Sequence, residues 1–497
     1  MRVTLMRRTR LRALKTAMLM ATAAGWTAAA AGQAPAPGAV QGSLYPKAAE
    51  AAVDSPLGDS LGSARYILKD IGADDAFRAQ IRRAIGIHPA FHLEASKRAE
   101  AKGHIRAERA ALYPRLSANL SGDYVLAREF GAGTDNVVES LRPDAQFNVG
   151  LSASQLLFDG GAAFQRIKAA KAHDRQQAES ISARVNELAL SALSAYYDLA
   201  VHQAVVALGE EFINRHEALL ADVKERNRLG AGTRADVAQA TARLAATRAR
   251  VAQIRESKRL AEIRYEEFFK AKPGVLARPS FDALAVGSRE EAMALAAMRN
   301  PLIGVAAAGS DRARAEFKAA RASRFPEVRA SDNGTKYDVA DGDDYDVRAG
   351  VVMNYDLYAG GARGAAISRA SSLAQQQKFD EERVRQEVVR DAAVAYERRA
   401  ASSERLDALA DAVTANHEAR ALISERFRVA RGDLIDILQA ENDYFEAAIG
   451  YLIGLADRDM ATYELMEHTG DLLLNFSPQP EYSDAALAAS DAEWESE

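Results

Sequence analysis

Leu157-Phe158-Asp159-Gly160-Gly161 is answered 200 residues later by Leu357-Tyr358-Ala359-Gly360-Gly361. The same offset of 200 carries Gly232-Thr233-Arg234-Ala235-Asp236-Val237-Ala238-Gln239-Ala240 onto Gly432-Asp433-Leu434-Ile435-Asp436-Ile437-Leu438-Gln439-Ala440. Upstream, Leu112-Tyr113-Pro114-Arg115-Leu116 returns as Arg324-Phe325-Pro326-Glu327-Val328, now at an offset of 212. Solenoid units run about 20–50 residues, so a period this long marks a duplicated half-protein. The copies are expected at 75–272 and 273–470, with 12 extra residues in copy one between its Pro and Gly-Gly landmarks.

Each copy changes period along its length. From Asp75 to Tyr113 apolar residues recur at three- and four-residue spacing, which predicts a helix closed by Pro114. Leu116, Ala118, Leu120, Tyr124 and Leu126 then alternate with Ser117, Asn119, Ser121 and Asp123, a half-buried strand. A Gly-, Asn- and Asp-bearing loop at 128–144 leads to a second strand, with Phe147, Val149, Leu151 and Ala153 on one face. In copy two the strand from Tyr345 to Leu357 has the cleanest alternation in the chain. The strand at 327–337 has the poorest, with Asp332 and Lys336 at apolar positions. After each Gly-Gly comes a long helix, about 162–229 and 365–431, that turns at a Gly and runs back. A helix of that length spans roughly 100 Å and needs neighbours along all of it.

The ends and the composition narrow the class. Arg2, Arg7, Arg8, Arg10, Arg12 and Lys15 precede the apolar run from Thr16 to Ala31, which reads as a secretory signal over 1–31. Removing those six cations from a net charge of −5 leaves about −11, and no basic stripe is present, so nucleic acid is not an expected partner. Residues 32–74 read as a flexible leader and 471–497 as an acidic disordered tail. The chain has no cysteine, which excludes a disulfide framework, a thiolate metal site and an acylated N-terminal Cys. Beyond the signal, no apolar run reaches the roughly 20 residues of a membrane-spanning helix.

Four strands of about ten residues match tilted strands crossing a bilayer. Their edges cannot stay open in lipid, where each unpaired backbone group costs several kcal/mol. Two chains would supply eight strands, an interior nearly filled by side chains, whereas three supply twelve and a lumen. The polar inward faces favour the homotrimer. A soluble periplasmic coiled-coil adaptor or scaffold is the competing reading.

These paired Pro junctions, Phe/Tyr-x-Gly-Gly strand exits and Gly-x3-Asp turns, in order over about 75–470, resemble the TolC-like outer-membrane efflux proteins. The resemblance implies a mixed α and β membrane protein: a trimeric twelve-stranded β-barrel, four strands per chain, continued by an α-helical coiled-coil tunnel across the periplasm. It implies an outer-membrane channel that passively conducts cargo for type I secretion or drug efflux, with no cofactor. The implied partners are outer-membrane lipid, a periplasmic adaptor (membrane fusion protein) and an inner-membrane ABC or RND transporter. The missing N-terminal Cys points toward the non-lipidated, type I secretion branch.

The resemblance also marks residues at the helical turns. Asp436 matches the family's constriction aspartate, where a ring of carboxylates on the axis would favour cations over anions. Helix capping is the alternative for Asp436 and for its first-copy counterpart Asp236, since each follows a cap-like residue by three positions. Where the family has a second acid, a tyrosine and an arginine, this chain has Gln439, Phe427 and Gly432. A latch here would therefore use other groups, with Arg428 and Arg431 as candidates and Glu441 available to restore charge. Gly230, and Ala430 in copy two, match the notch where adaptor tips dock, although Gly230 can also simply end a helix. Tyr113, Phe158, Phe325, Tyr355 and Tyr358 at strand ends suggest an interfacial girdle, with core packing the alternative for Tyr113 and Phe325. Enzyme signals are poor: Gly58-Asp59-Ser60-Leu61-Gly62 lacks a preceding strand, and His88 and His92, separated by Pro89, read as a solvated pair with no third ligand.

Overall fold

Proline draws the first boundary in each copy. The helix expected from Asp75 to Tyr113 is two helices, α1 (Asp75–Gly86) and α2 (Pro89–Ala110). Pro89 cannot donate to the preceding turn, so the chain breaks there and restarts with Pro at the first helical position. His88 caps the restart, its Nδ1 accepting from the Ala90 N–H at 3.2 Å, and stacks on Phe268 with centroids 5.3 Å apart. It is therefore a structural cap and not half of a solvated pair. Copy one continues through β1 (Arg115–Tyr124), β2 (Ala145–Phe158), α3 (Ala162–Arg228) and α4 (Arg234–Phe269). Copy two repeats this as α5 (Arg289–Arg299), α6 (Pro301–Ala322), β3 (Glu327–Lys336), β4 (Tyr345–Asn354), α7 (Ala362–Arg428) and α8 (Leu434–Thr469). Asn300 does for Pro301 what His88 does for Pro89, accepting from the Leu302 N–H at 3.0 Å.

This computed structural model describes residues 75–127, 129, 145–279, 286–337, 344–429 and 432–478. The expected signal, the leader with its Gly58–Gly62 string, most of the 128–144 loop, Ala430, Arg431 and residues 479–497 lie outside them. The tail boundary needs correcting. Residues 471–476 form a last helix, α9 (Asp471–Phe476), whose Leu472 and Phe476 are fully buried beside Phe77 and Tyr463.

The sheet is an antiparallel meander in the order β1-β2-β3-β4. Its register sorts the side chains as the alternation predicts. Leu120, Val149, Lys336 and Tyr345 stand in one cross-strand row, and Leu116, Ala153, Asp332 and Ala349 in another, all on one face. The opposite face carries Ser117, Ser152, Asn333 and Arg348 in a row. Asp332 and Lys336 thus do sit on the apolar face, and alanines flank Asp332 on both sides. The strand ending at Leu357 was expected too long: β4 stops at Asn354, opposite the first residue of β3. β2 runs on to Phe158 through a bulge at Leu156/Phe158, and Gln155 Nε2 donates to the Leu112 carbonyl at 2.8 Å. The connections of 20 residues after β1 and 8 after β3 place the 12-residue difference at the hairpin ends.

The Gly-Gly pairs turn strand into helix. Gly160, Gly161, Gly360 and Gly361 all have φ between 60° and 86°, a region that costs a side chain about 1–2 kcal/mol per residue. The helices they start, α3 and α7, are both 67 residues long. In α3 the close approach of α4 falls at Gly209, where a Cβ would lie 3.0 Å from Val251. In copy two the small residue has changed sides: Gly454 of α8 receives Leu409 of α7, and a Cβ there would lie 2.6 Å away.

The link between copies is pinned from both. Tyr197 and Tyr463 hydroxyls donate to the Pro279 carbonyl at 2.6 and 2.8 Å, and Tyr196 donates to the Ala277 carbonyl at 3.0 Å. Arg278 makes a buried bidentate bond to Asp459, at 2.5 and 2.9 Å. Beside this waist, burial and the neighbouring carboxylates of Glu464 and Glu187 push the Glu467 carboxyl up to about 7. The folded chain binds that proton more tightly than the unfolded chain does. The helical region therefore loses stability as pH rises from about 4.5 through 7, and the penalty is complete above that. Glu467→Gln should flatten this slope in thermal melts followed by circular dichroism between pH 5 and pH 8.

Candidate functional site

Both helical hairpins turn within a few residues, and their returning helices start differently. In copy one, Gly230 takes φ 74°, the Leu229 N–H donates to the Glu225 carbonyl at 3.0 Å, and the Ala231 N–H donates to the Arg226 carbonyl at 2.8 Å. Asn227 Nδ2 closes the turn on the Gly232 carbonyl at 3.0 Å. α4 then starts with a complete capping box: the Asp236 N–H donates to Thr233 Oγ1 at 3.1 Å, and the Thr233 N–H to Asp236 Oδ2 at 2.8 Å. These bonds hold the Asp236 carboxyl below the usual aspartate range. Its charge is spent on its own helix.

In copy two, Asp433 Oδ1 accepts from the Ile435 N–H at 3.4 Å and no box forms. Asp436 is exposed, and among the described residues no ion pair engages it. The shared sequence pattern thus yields a capping acid in one copy and a solvent-facing acid in the other. Gln439, also exposed, donates to Asp443 Oδ1 at 2.7 Å on its own helix.

Position 427 ties the two tips together. Phe427 is buried, and Arg226 of the first hairpin lies over its ring at 4.0 Å while donating to its backbone oxygen at 2.6 Å. A charged hydrogen bond and a cation–π contact of this kind together contribute on the order of 1–3 kcal/mol. Gly432 faces the backbone of Phe427 so closely that a Cβ would lie 3.0 Å from its nitrogen. Arg428 pairs with Glu425 at 2.6 Å on its own helix, as Arg228 pairs with Glu225 in copy one. The hydrogen bond to Phe427 across the two tips is therefore made by Arg226, which the sequence reading did not single out.

Glu441 is also placed otherwise than expected. It is buried, inside the bundle and away from the surface Asp436 occupies, with Arg420 Nη1 3.8 Å and Arg215 Nη1 4.0 Å from its carboxylate. Burial pushes its carboxyl up, against the pull of the two guanidiniums. Arg420 lies over the Tyr444 ring, 3.7 Å from its centroid. Glu441 Oε2, Arg420 Nη1 and the His216 Nε2 nearby have no hydrogen-bond partner. Each such orphan costs about 1–3 kcal/mol.

The comparisons with known proteins agree with this architecture. The family model described as outer membrane efflux protein matches residues 81–266 and again 292–471, once in each copy. The chain belongs to the outer membrane efflux protein family. It is 24% identical over 346 residues to the outer membrane efflux protein BepC of Brucella suis, covering 68% of this chain and 76% of BepC. It is 26% identical over 391 residues to protein CyaE of Bordetella pertussis, covering 73% and 77% of the two. Among solved structures, the CmeC outer membrane channel of Campylobacter jejuni superposes with a TM-score of 0.71 at 14% identity, covering 82% of this chain and 88% of that one. The outer membrane protein VceC of Vibrio cholerae gives 0.70 at 16% identity, covering 80% and 97%. The fold is the mixed α and β fold of trimeric channels, and the chain is an outer-membrane channel whose helical part lies in the periplasm. The family is one of transport channels that work with adaptors and inner-membrane transporters.

The two acids should separate in planar-bilayer recordings. Asp436→Asn should lower the cation-to-anion permeability ratio several-fold, and Asp236→Asn should leave it unchanged; equal effects would refute the assignment of Asp436 to the conducting path. Arg226→Ala should raise single-channel conductance by releasing the second tip from the first, and an unaltered conductance would show that the contact does not restrain it.

Proposed function

We propose that three copies of this chain close one twelve-stranded barrel, β4 of each pairing with β1 of the next. Their helical hairpins form a tunnel that receives cargo from an inner-membrane ABC or RND transporter through a periplasmic adaptor. The observation that carries this reading is the pair of open sheet edges. β1 and β4 each have one partner within the chain, and exposed apolar side chains such as Leu116, Leu120, Val347 and Val351 share a face with them. That face requires lipid, and lipid forbids the open edges. Exposed apolar residues on α7, including Phe379 and Leu422, supply the helical counterpart.

At the far end, Asp436 and Gln439 line the narrowest ring, and Asp236, outside the path, builds the first turn. Phe427 with Arg226 restrains the tip, and Arg428 stiffens its own helix. The adaptor docks at Gly230 and Ala430. In support, Gly230 is exposed with open space where a Cβ would point, and Leu229 and Val429 beside the turns are exposed apolar residues.

The absence of cysteine makes the barrel directly testable. One cysteine on β1 and one on β4, scanned across neighbouring registers, should crosslink into covalent dimers and a closed trimer, with nothing larger. Crosslinks confined within a single chain, or a ladder extending past three, would overturn the arrangement.

A further inference from the structure

The buried core of the hairpin region is not continuous. One apolar cluster, built around Phe212, Val413, Phe445 and Leu452, packs the shafts of α3, α7 and α8. A second, around Leu220, Leu244, Phe427 and Leu438, packs the tip. Between them every helix of the two hairpins buries a polar residue at the same level: His216 on α3, Thr247 on α4, Arg420 on α7 and Glu441 on α8. No sequence pattern forces that coincidence, because the four positions do not correspond under the offset of 200.

The layer is also poorly satisfied. Arg420 and Glu441 face each other at 3.8 Å, beyond hydrogen-bond reach, and one atom of each is orphaned. His216 bonds the Phe212 carbonyl through Nδ1 at 3.0 Å, which leaves its buried Nε2 without a partner. Arg215 reaches toward Glu441 at 4.0 Å but bonds Glu211 at 2.8 Å. Burial disfavours the charged forms of Glu441 and His216 alike. Admitting water here satisfies three orphaned atoms and rehydrates an ion pair, whereas water in either flanking cluster would only expose hydrocarbon.

We propose that this polar layer is a hinge, below which the described part of the tip (about 217–246, 421–429 and 432–440) opens as one cooperative unit while the shaft above stays packed. The proposal concerns where the bundle parts, and it does not depend on Asp436 lining the conducting path.

Hydrogen exchange on the purified full-length protein, read by mass spectrometry of overlapping peptides, tests this. In the unaltered protein, peptides on the tip side of His216 and Arg420 should exchange with one shared opening constant, about tenfold or more larger than that of peptides covering Val201–Phe212 and Phe445–Leu452. The boundary should be a step at the layer. A smooth gradient from the turns upward would mean simple fraying and would overturn the hinge, as would equal protection on both sides. The paired replacement Arg420→Met with Glu441→Leu removes both charges together and keeps the volume. It should slow tip exchange toward the shaft value and abolish the step. A step that persists in a folded double variant would show that the polar layer does not cause it, and if that variant does not fold, the step in the unaltered protein remains decisive.

Discussion

A backbone hydrogen bond that cannot be left unmade organises this molecule. β1 and β4 end the sheet with one edge each unpaired, and the apolar face they share belongs in hydrocarbon, where no water can substitute for a missing strand. The rest follows from this requirement. Under the closure proposed here, the chain meets copies of itself at a fixed rotation. The Gly-Gly turns then hand each strand to a helix in the same relation around the axis. Asp332 is the one carboxylate on that face among the described residues, and it lies between two alanines.

The duplication explains why so much of the fold was legible. A periodic pattern seen once is ambiguous, but the same pattern at a fixed offset fixes element ends to within a few residues. α3 and α7 start after matching glycines and close at matching arginines, Arg228 and Arg428. What escaped was local or acted at a distance. The break before Pro89 was hidden because apolar spacing continues across it, and only the missing N–H interrupts the helix. α9 was assigned to the acidic tail because six residues are too few to show a period, and its burial depends on Tyr463 and on Phe77, the latter almost 400 residues away in the chain.

The tip was legible in position and not in wiring. Turn residues announce themselves, so Gly230, Asp236 and Asp436 could be found from sequence. Which acid caps and which faces solvent depends on whether Thr or Asp precedes it. Thr233 Oγ1 reaches the N–H of Asp236, whereas Asp433 turns to Ile435. The Arg226–Phe427 contact joins residues 201 apart in different copies, where Asn227 and Arg426 stand at the corresponding positions. Burial of Glu441 has the same origin. A charged residue near a turn reads as solvated until the other hairpin is laid against it.

The exchanged glycine makes each hairpin specific to its own two helices. In copy one the hollow is on the outgoing helix at Gly209, and in copy two on the returning helix at Gly454. A hairpin assembled from the outgoing helix of one copy and the returning helix of the other would set Gly209 against Gly454, leaving a void, or Leu409 against Ile254, where two bulky side chains compete for one space. The two halves, alike in outline, are therefore not interchangeable parts: each returning helix is shaped to its own outgoing helix.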